Sequence, residues 1–102
     1  MIVVTDSTVL IGLAKLGQLN LLKELFPKVF IPEEVYKEVV DRGHDKPGSN
    51  LIRESPWVET KAVKDKTQVS FLMGSLDSGE AEVLALAGEL EAVGAFQRTG
   101  RL

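Results

Sequence analysis

The sequence predicts a small α/β domain built on a short parallel sheet, and three observations support this prediction. Residues 2–4 form a β-branched run that is typical of a buried parallel strand. The run ends in Asp6, Ser7 and Thr8, which are helix-capping residue types, and apolar residues at helical spacing follow. Further short strand-like segments alternate with helical ones, which favours parallel pairing through right-handed crossovers.

The elements follow one another closely along the chain. Gly17 suits the end of the first helix, Pro27 ends the second, and Pro32 suits the first turn of the third. Residues 44–56 are predicted to be a loop with one helical turn after Ser49. Short strands are predicted over residues 2–4, 29–31 and 57–60. Helices are predicted over residues 7–16, 19–26, 32 to about 41–43, from 69 onward, and 80–90.

The composition limits the classes of protein to which the chain can belong. With 102 residues, of which 44% are hydrophobic and 26% are charged, residues 1–102 are expected to form a single globular domain. The absence of cysteine excludes disulfides and thiolate metal sites. No apolar run approaches the roughly 18 residues of a membrane span, and the N-terminus does not resemble a signal peptide, so we expect a cytoplasmic protein without a membrane partner. The net charge of −3 means that any contact with nucleic acid must use a local patch.

The C-terminal part of the sequence departs from the βα alternation. Residues 92–96 form a poor strand because a glycine lies within them, and the following residues resemble a solvated tail. The first strand is expected beside the second, with the third outside the second. If the tail supplies no strand, residues 2–4 become an exposed apolar edge, which would recruit another chain. The sequence therefore predicts a homodimer or larger oligomer; the alternative is a monomer with a short edge strand.

Three acidic residues occupy comparable positions at the edges of predicted elements. Asp6 follows the first strand at its carboxyl end, where open α/β sheets bind ligands. Glu38 borders the buried face of the third helix, and Glu80 begins the last one. Each also has an ordinary interpretation, because Asp6 could only cap its helix and exposed glutamates usually serve solubility.

The sequence resembles the PIN domains, in particular the short prokaryotic PIN-like proteins related to VapC-type toxins. The resemblance covers residues 1 to about 91 and depends on VVTDSTVLIGLAKLGQLNLLKELFPKVFIPEEVYKEV, the following loop, and LDSGEAEVLALAGEL. It implies a Rossmann-like α/β/α fold and metal-dependent hydrolysis of RNA phosphodiesters. It further implies that Asp6, Glu38 and Glu80 are catalytic metal ligands and that Ser7 supports the first acid. A small antitoxin partner that covers the acidic groove is also implied.

The chemistry of the three acids agrees with this resemblance. Hydrolysis of a phosphodiester requires neutralisation of the phosphate charge and activation of a water molecule. Carboxylates that hold one or two Mg²⁺ or Mn²⁺ ions provide both, and Mg²⁺ keeps several waters, so few protein ligands suffice. The carboxylates would repel one another without a cation, so metal binding is expected to stabilise the fold.

One departure from the family leaves an alternative function open. Family members usually continue into a strand that ends in an acidic pair, whereas LEAVGAFQRTGRL contains no aspartate. The fourth acid is therefore missing, and the C-terminal strands are expected to be missing or degenerate, as in a C-terminally truncated PIN domain. The alternative is a catalytically inactive PIN remnant that acts as an interaction or dimerisation module.

Other polar residues have structural explanations at this stage. Asp77 and Ser78 are expected to cap the last helix, and Glu82 is expected to face solvent. His44 is predicted to be a solvated loop residue, and Trp57 an anchor of the edge strand. The basic segment could contact phosphates or protect the sheet edge from pairing, and it contains Lys61, Lys64 and Lys66.

Overall fold

The fold is centred on a sheet of four parallel strands. A computed structural model describes residues 2–41, 49–91 and 93–95, and His44 lies outside these residues. The order of the strands in the sheet is β3-β2-β1-β4. The predicted α/β class and the predicted order of the first three strands are confirmed. The strands are β1 (Ile2–Thr5), β2 (Lys28–Pro32), β3 (Val58–Lys61) and β4 (Val93–Ala95).

Helices connect the strands as the alternation predicts. The third helix begins as an α-helix and continues directly into a π-helical turn over Lys37–Asp41. Gly17 has a φ of +67°, so it supplies the left-handed residue expected after the first helix. The α-helices are α1 (Ser7–Lys15), α2 (Asn20–Leu25), α3 (Glu33–Tyr36), α4 (Ser49–Arg53), α5 (Lys66–Leu72) and α6 (Ser78–Leu90).

Two helices, α5 and α6, begin two or three residues earlier than the sequence predicts, and capping explains both. α5 begins before Val69 because the side chain of Asp65 caps it, accepting a hydrogen bond from the Gln68 amide at 3.0 Å. α6 begins at Ser78 because Asp77 caps it. Capping thus extends both helices beyond the segments in which apolar residues recur at helical spacing.

The predicted open edge of β1 is wrong. The short strand β4 pairs with β1 in parallel, with Val3 opposite Val93 and Thr5 opposite Ala95. Gly94 lies within β4 and lowers its strand propensity, but pairing with a central strand outweighs this local preference. The fourth strand is therefore present, although it is short. Because β1 pairs on both sides, an exposed β1 edge no longer supports the predicted oligomer, which stays a prediction.

The core lies between the sheet and the helices that pack on it. Val3 and Val4 of β1 are fully buried, as is Ile31 of β2. α6 packs across β1, β2 and β4, and its small buried residues Ala81 and Ala85 allow close approach to the sheet. No helix within the described residues is long and apolar enough to cross a bilayer. The packing of α6 brings its first turn to the carboxyl end of β1, where Asp6 lies.

Candidate functional site at the carboxyl end of the sheet

Asp6 joins the central strand to the first helix. Its backbone is extended, and its Oδ1 accepts a hydrogen bond from the Val9 amide at 3.0 Å, so it is the N-cap of α1. The residue is also 95% buried, since only 5% of its surface is exposed. The predicted capping role is therefore confirmed, and the same carboxylate lines a depression at the end of the sheet.

Glu38 reaches this depression from the π-helical turn. A π turn widens the helix by one residue, and such turns are frequent at functional sites. Val39 and Val40 are consecutive and both buried, which anchors the turn on the core. Glu38 is half-buried, and its Oε2 accepts a hydrogen bond from the Ser7 hydroxyl at 2.8 Å. The hydroxyl that the resemblance assigned to support of Asp6 thus orients the second acid.

The first turn of α6 forms the opposite wall of the depression. The Asp77 side chain accepts from the Glu80 amide at 2.8 Å, and the Glu80 side chain accepts from the Asp77 amide at 3.2 Å. This reciprocal pair is a capping box. The predicted cap is confirmed, and the predicted site residue Glu80 uses one carboxylate oxygen in it.

All three predicted acids line this one depression, which has a volume of about 80 Å³. Among the described residues, its lining contains four acids and no basic side chain. The N-termini of α1 and α6 both meet the depression, and the positive ends of their dipoles favour carboxylates there. The lining residues are Asp6, Ser7, Thr8, Glu38, Asp77, Gly79 and Glu80.

Two hydrogen bonds fix the third helix against α6. Glu82 accepts from the Glu34 amide at 3.1 Å, and the Ser78 hydroxyl donates to Glu34 Oε1 at 3.2 Å. The expected solvent position of Glu82 is wrong, because this residue is half-buried and caps α3 from a neighbouring helix. These bonds hold the helix that carries Glu38 beside the first turn of α6.

The comparison with protein families identifies the domain. A family model described as DUF3368, a PIN domain, matches residues 2–95. This chain belongs to the PIN-domain family. Comparisons with curated proteins and with solved structures gave no match. The family confirms the predicted α/β/α fold and indicates a nuclease-like domain.

The acids of this PIN domain have the donor chemistry of a divalent metal site, and such domains generally use divalent metals. Carboxylate oxygens are suitable ligands for Mg²⁺ and Mn²⁺, and Mg²⁺ binds through one or two carboxylates plus waters. Within residues 2–41, 49–91 and 93–95, however, no three Asp, Glu, His or Cys side chains are arranged as a metal-binding group. The carboxylate oxygens of Asp6, Glu38 and Glu80 are the donor type that a divalent cation accepts.

The sequence did not reveal the whole lining of the PIN-domain depression. Thr8 and Gly79 were not predicted there, and Asp77 was predicted only as a cap. The spacing of Asp77 and Glu80 is the sequence signature of a capping box. No sequence signal marks the close approach of Gly79 to Glu38, because it depends on the packing of two helices that are distant in the chain.

The basic segment, for which phosphate contact and protection of the sheet edge are the two alternatives, is exposed, and part of it has structural roles. Lys61 lies over the Phe30 ring, with Nζ 5.4 Å from the ring centroid. The Glu89 carboxylate accepts from the Lys64 amide at 3.0 Å and from the Asp65 amide at 2.9 Å. These backbone amides lower the pKa of Glu89 below its usual range. Trp57 is half-buried against the core beside β3, as predicted.

Proposed function

We propose that this PIN domain is a Mg²⁺- or Mn²⁺-dependent ribonuclease that hydrolyses RNA phosphodiesters with Asp6, Glu38 and Glu80. The observation that carries the proposal is that all three carboxylates line one depression at the carboxyl end of β1. The three side chains come from separate parts of the chain, and their convergence at the carboxyl end of the central strand supports a shared role. Helix N-termini also bind anions directly, but four carboxylates oppose a phosphate that carries no cation.

Each residue has a separate task in this proposal. Asp6 is held in place by the Val9 amide and is the most buried of the three acids, which suits a fixed ligand. Glu38 is oriented by the Ser7 hydroxyl. Glu80 takes part through a water molecule while its capping bond to the Asp77 amide persists. The bound ion supplies charge neutralisation at the phosphate and lowers the pKa of a water molecule.

Cleavage of RNA by the 102-residue chain tests the proposal. We expect cleavage of single-stranded RNA in Mn²⁺, loss of cleavage in Asp6→Asn, and retention in Asp41→Asn, which changes an exposed aspartate outside the depression. Millimolar Mn²⁺ should also raise the melting temperature of the wild type and of Asp41→Asn but not of Asp6→Asn. Unchanged stability of the wild type in Mn²⁺ would contradict the metal site.

A second candidate function is an inactive PIN domain that serves as an interaction module. The sequence favours it at one point, because β4 is followed by Phe96 and Gln97 where an acidic pair is expected. The same experiment separates the two functions. Stabilisation by Mn²⁺ that Asp6→Asn abolishes, without any cleavage of RNA, would support the inactive domain.

A small antitoxin is the protein partner that accompanies the toxin-like function. Four acids line the depression, so it suits a Lys or Arg side chain inserted by a partner. Purification from the native host should then yield a small basic companion protein. This companion should be lost when the charge of the depression is reduced in Asp6→Asn, and purification without any companion would contradict the proposal.

A further inference from the structure

Gly79 brings the first turn of α6 against the Glu38 side chain in the depression. A Cβ atom built on this glycine would lie 2.5 Å from Glu38 Oε1 and 3.5 Å from Glu38 Cδ. The first distance is shorter than real Cβ contacts, so any side chain at this position would displace the Glu38 carboxylate. The φ of Gly79 is not in the left-handed region, so its backbone does not itself require glycine. The requirement comes from Glu38.

The Glu38 carboxylate is confined from two sides. Its Oε2 accepts from the Ser7 hydroxyl at 2.8 Å, and its Oε1 faces the bare backbone of Gly79. The helix that carries Glu38 cannot easily retreat, because the Ser78–Glu34 hydrogen bond fixes its first turn to α6. A methyl group at position 79 would therefore turn the carboxylate away rather than move the helix.

We propose that Gly79 is a positioning residue for Glu38, and that its missing side chain leaves the space in which the second acid faces the metal site. The proposal rests on the proposed function, since it concerns the same acid. It adds a residue that has no ligand atom of its own. A glycine at the second position of a helix is otherwise a poor choice, because glycine has a low helix propensity.

A double-mutant cycle between positions 79 and 38 tests this role. We expect Gly79→Ala to weaken Mn²⁺ binding about tenfold or more, measured by calorimetry, as loss of an orienting contact typically does. In the Glu38→Asp background the carboxylate is one methylene shorter and avoids the new methyl group. Gly79→Ala should therefore change Mn²⁺ affinity less than about twofold in that background. Equal losses in both backgrounds, or no loss with Glu38 present, would overturn the proposal.

Gly88→Ala is the matched control, because it lies in the same helix and a Cβ there meets nothing within 4 Å. It should raise the melting temperature by helix propensity and leave Mn²⁺ affinity unchanged. Without metal, Gly79→Ala should raise the melting temperature more in the Glu38→Asp background than with Glu38 present, whereas Gly88→Ala should have the same effect in both backgrounds. Equal effects of Gly79→Ala in the two backgrounds would overturn the steric contact. This measurement contains no Mn²⁺, so failure of the wild type to bind the ion would contradict only the proposed function.

Discussion

The two ends of helix α6 use carboxylates in different ways. At its first turn, Glu80 and Asp77 line the acidic depression that Glu38 enters from a neighbouring helix. At its last turn, Glu89 is exposed and accepts hydrogen bonds from the backbone amides of Lys64 and Asp65. Both ends connect α6 to other parts of the chain. Only the first end gathers acids from several elements around one space.

The difference shows what separates a structural carboxylate from a candidate ligand. Glu89 is held by backbone amides, which favour its charged form and leave the negative charge well compensated. Glu38 instead accepts a hydrogen bond from a side-chain hydroxyl and lies in a depression that three other acids line. Acids that gather in this way lower the stability of the metal-free protein and become favourable when a cation binds.

The largest expected effect is on RNA cleavage, which should depend on the acids at the first turn of α6 and not on Glu89 at its last turn. Glu38→Ala removes a proposed direct ligand, so RNA cleavage in Mn²⁺ should fall by about 100-fold or more. Glu89→Ala removes a carboxylate that lies on α6 but outside the depression, so RNA cleavage per folded molecule should be unchanged. Initial rates with a short fluorescent RNA measure both. A comparable loss in Glu89→Ala would show that the ends of α6 are not functionally distinct.

The next effect concerns stability at the first turn of α6. Asp77→Ala removes the carboxylate that accepts from the Glu80 amide, while the Asp77 amide still donates to Glu80, and should lower the free energy of unfolding by about 1.5 kcal/mol. Asp77→Ser retains a capping oxygen and should lower the free energy of unfolding much less. Urea unfolding followed by circular dichroism measures both variants. Similar losses would show that the carboxylate acts through charge rather than through the capping bond.

Glu80→Gln separates the two roles of that residue. A glutamine retains the reciprocal bond of the capping box, so the free energy of unfolding should change by less than about 0.5 kcal/mol. Loss of the charge should nevertheless weaken Mn²⁺ binding. Calorimetric titration with Mn²⁺ and urea unfolding of the same sample test both statements. Unchanged Mn²⁺ affinity would remove Glu80 from the proposed metal shell and leave it as a cap.

The comparison also shows what the sequence could predict. The position of Asp6 followed from a β-branched strand that meets capping residues, and Glu80 followed from the start of a strongly helical segment. These are local patterns. The Gly79 contact with Glu38 depends on the packing of distant helices, as does the hydrogen bond between Glu82 and Glu34. The pairing of β4 could not be predicted either, since a neighbouring central strand compensates for its poor local propensity.

A buried hydroxyl at the site end of β1 gives a smaller effect. Thr5 is fully buried, and its Oγ1 has no hydrogen-bond partner among residues 2–41, 49–91 and 93–95. Thr5→Val keeps the shape and removes the uncompensated polar atom, so the free energy of unfolding should rise by about 1 kcal/mol. Val3→Thr places a buried hydroxyl on the same strand and should lower the free energy of unfolding. A loss of stability in Thr5→Val would contradict the uncompensated hydroxyl.

The smallest effect is the pH dependence at the last turn of α6. Backbone amides of Lys64 and Asp65 lower the pKa of Glu89 in the folded protein below the value of about 4.3 found in unfolded chains. As the pH falls, the unfolded state therefore takes up the proton before the folded state does. The stabilisation by Glu89 is complete above about pH 5.5 and is lost as the pH falls through the pKa of the folded protein. The stability difference between the wild type and Glu89→Gln should be constant near neutral pH and should narrow below pH 5. Urea unfolding at several pH values measures it, and Glu24→Gln, an exposed acid on α2, is the control. A difference that widens on acidification would mean that the amides do not favour the charged form of Glu89.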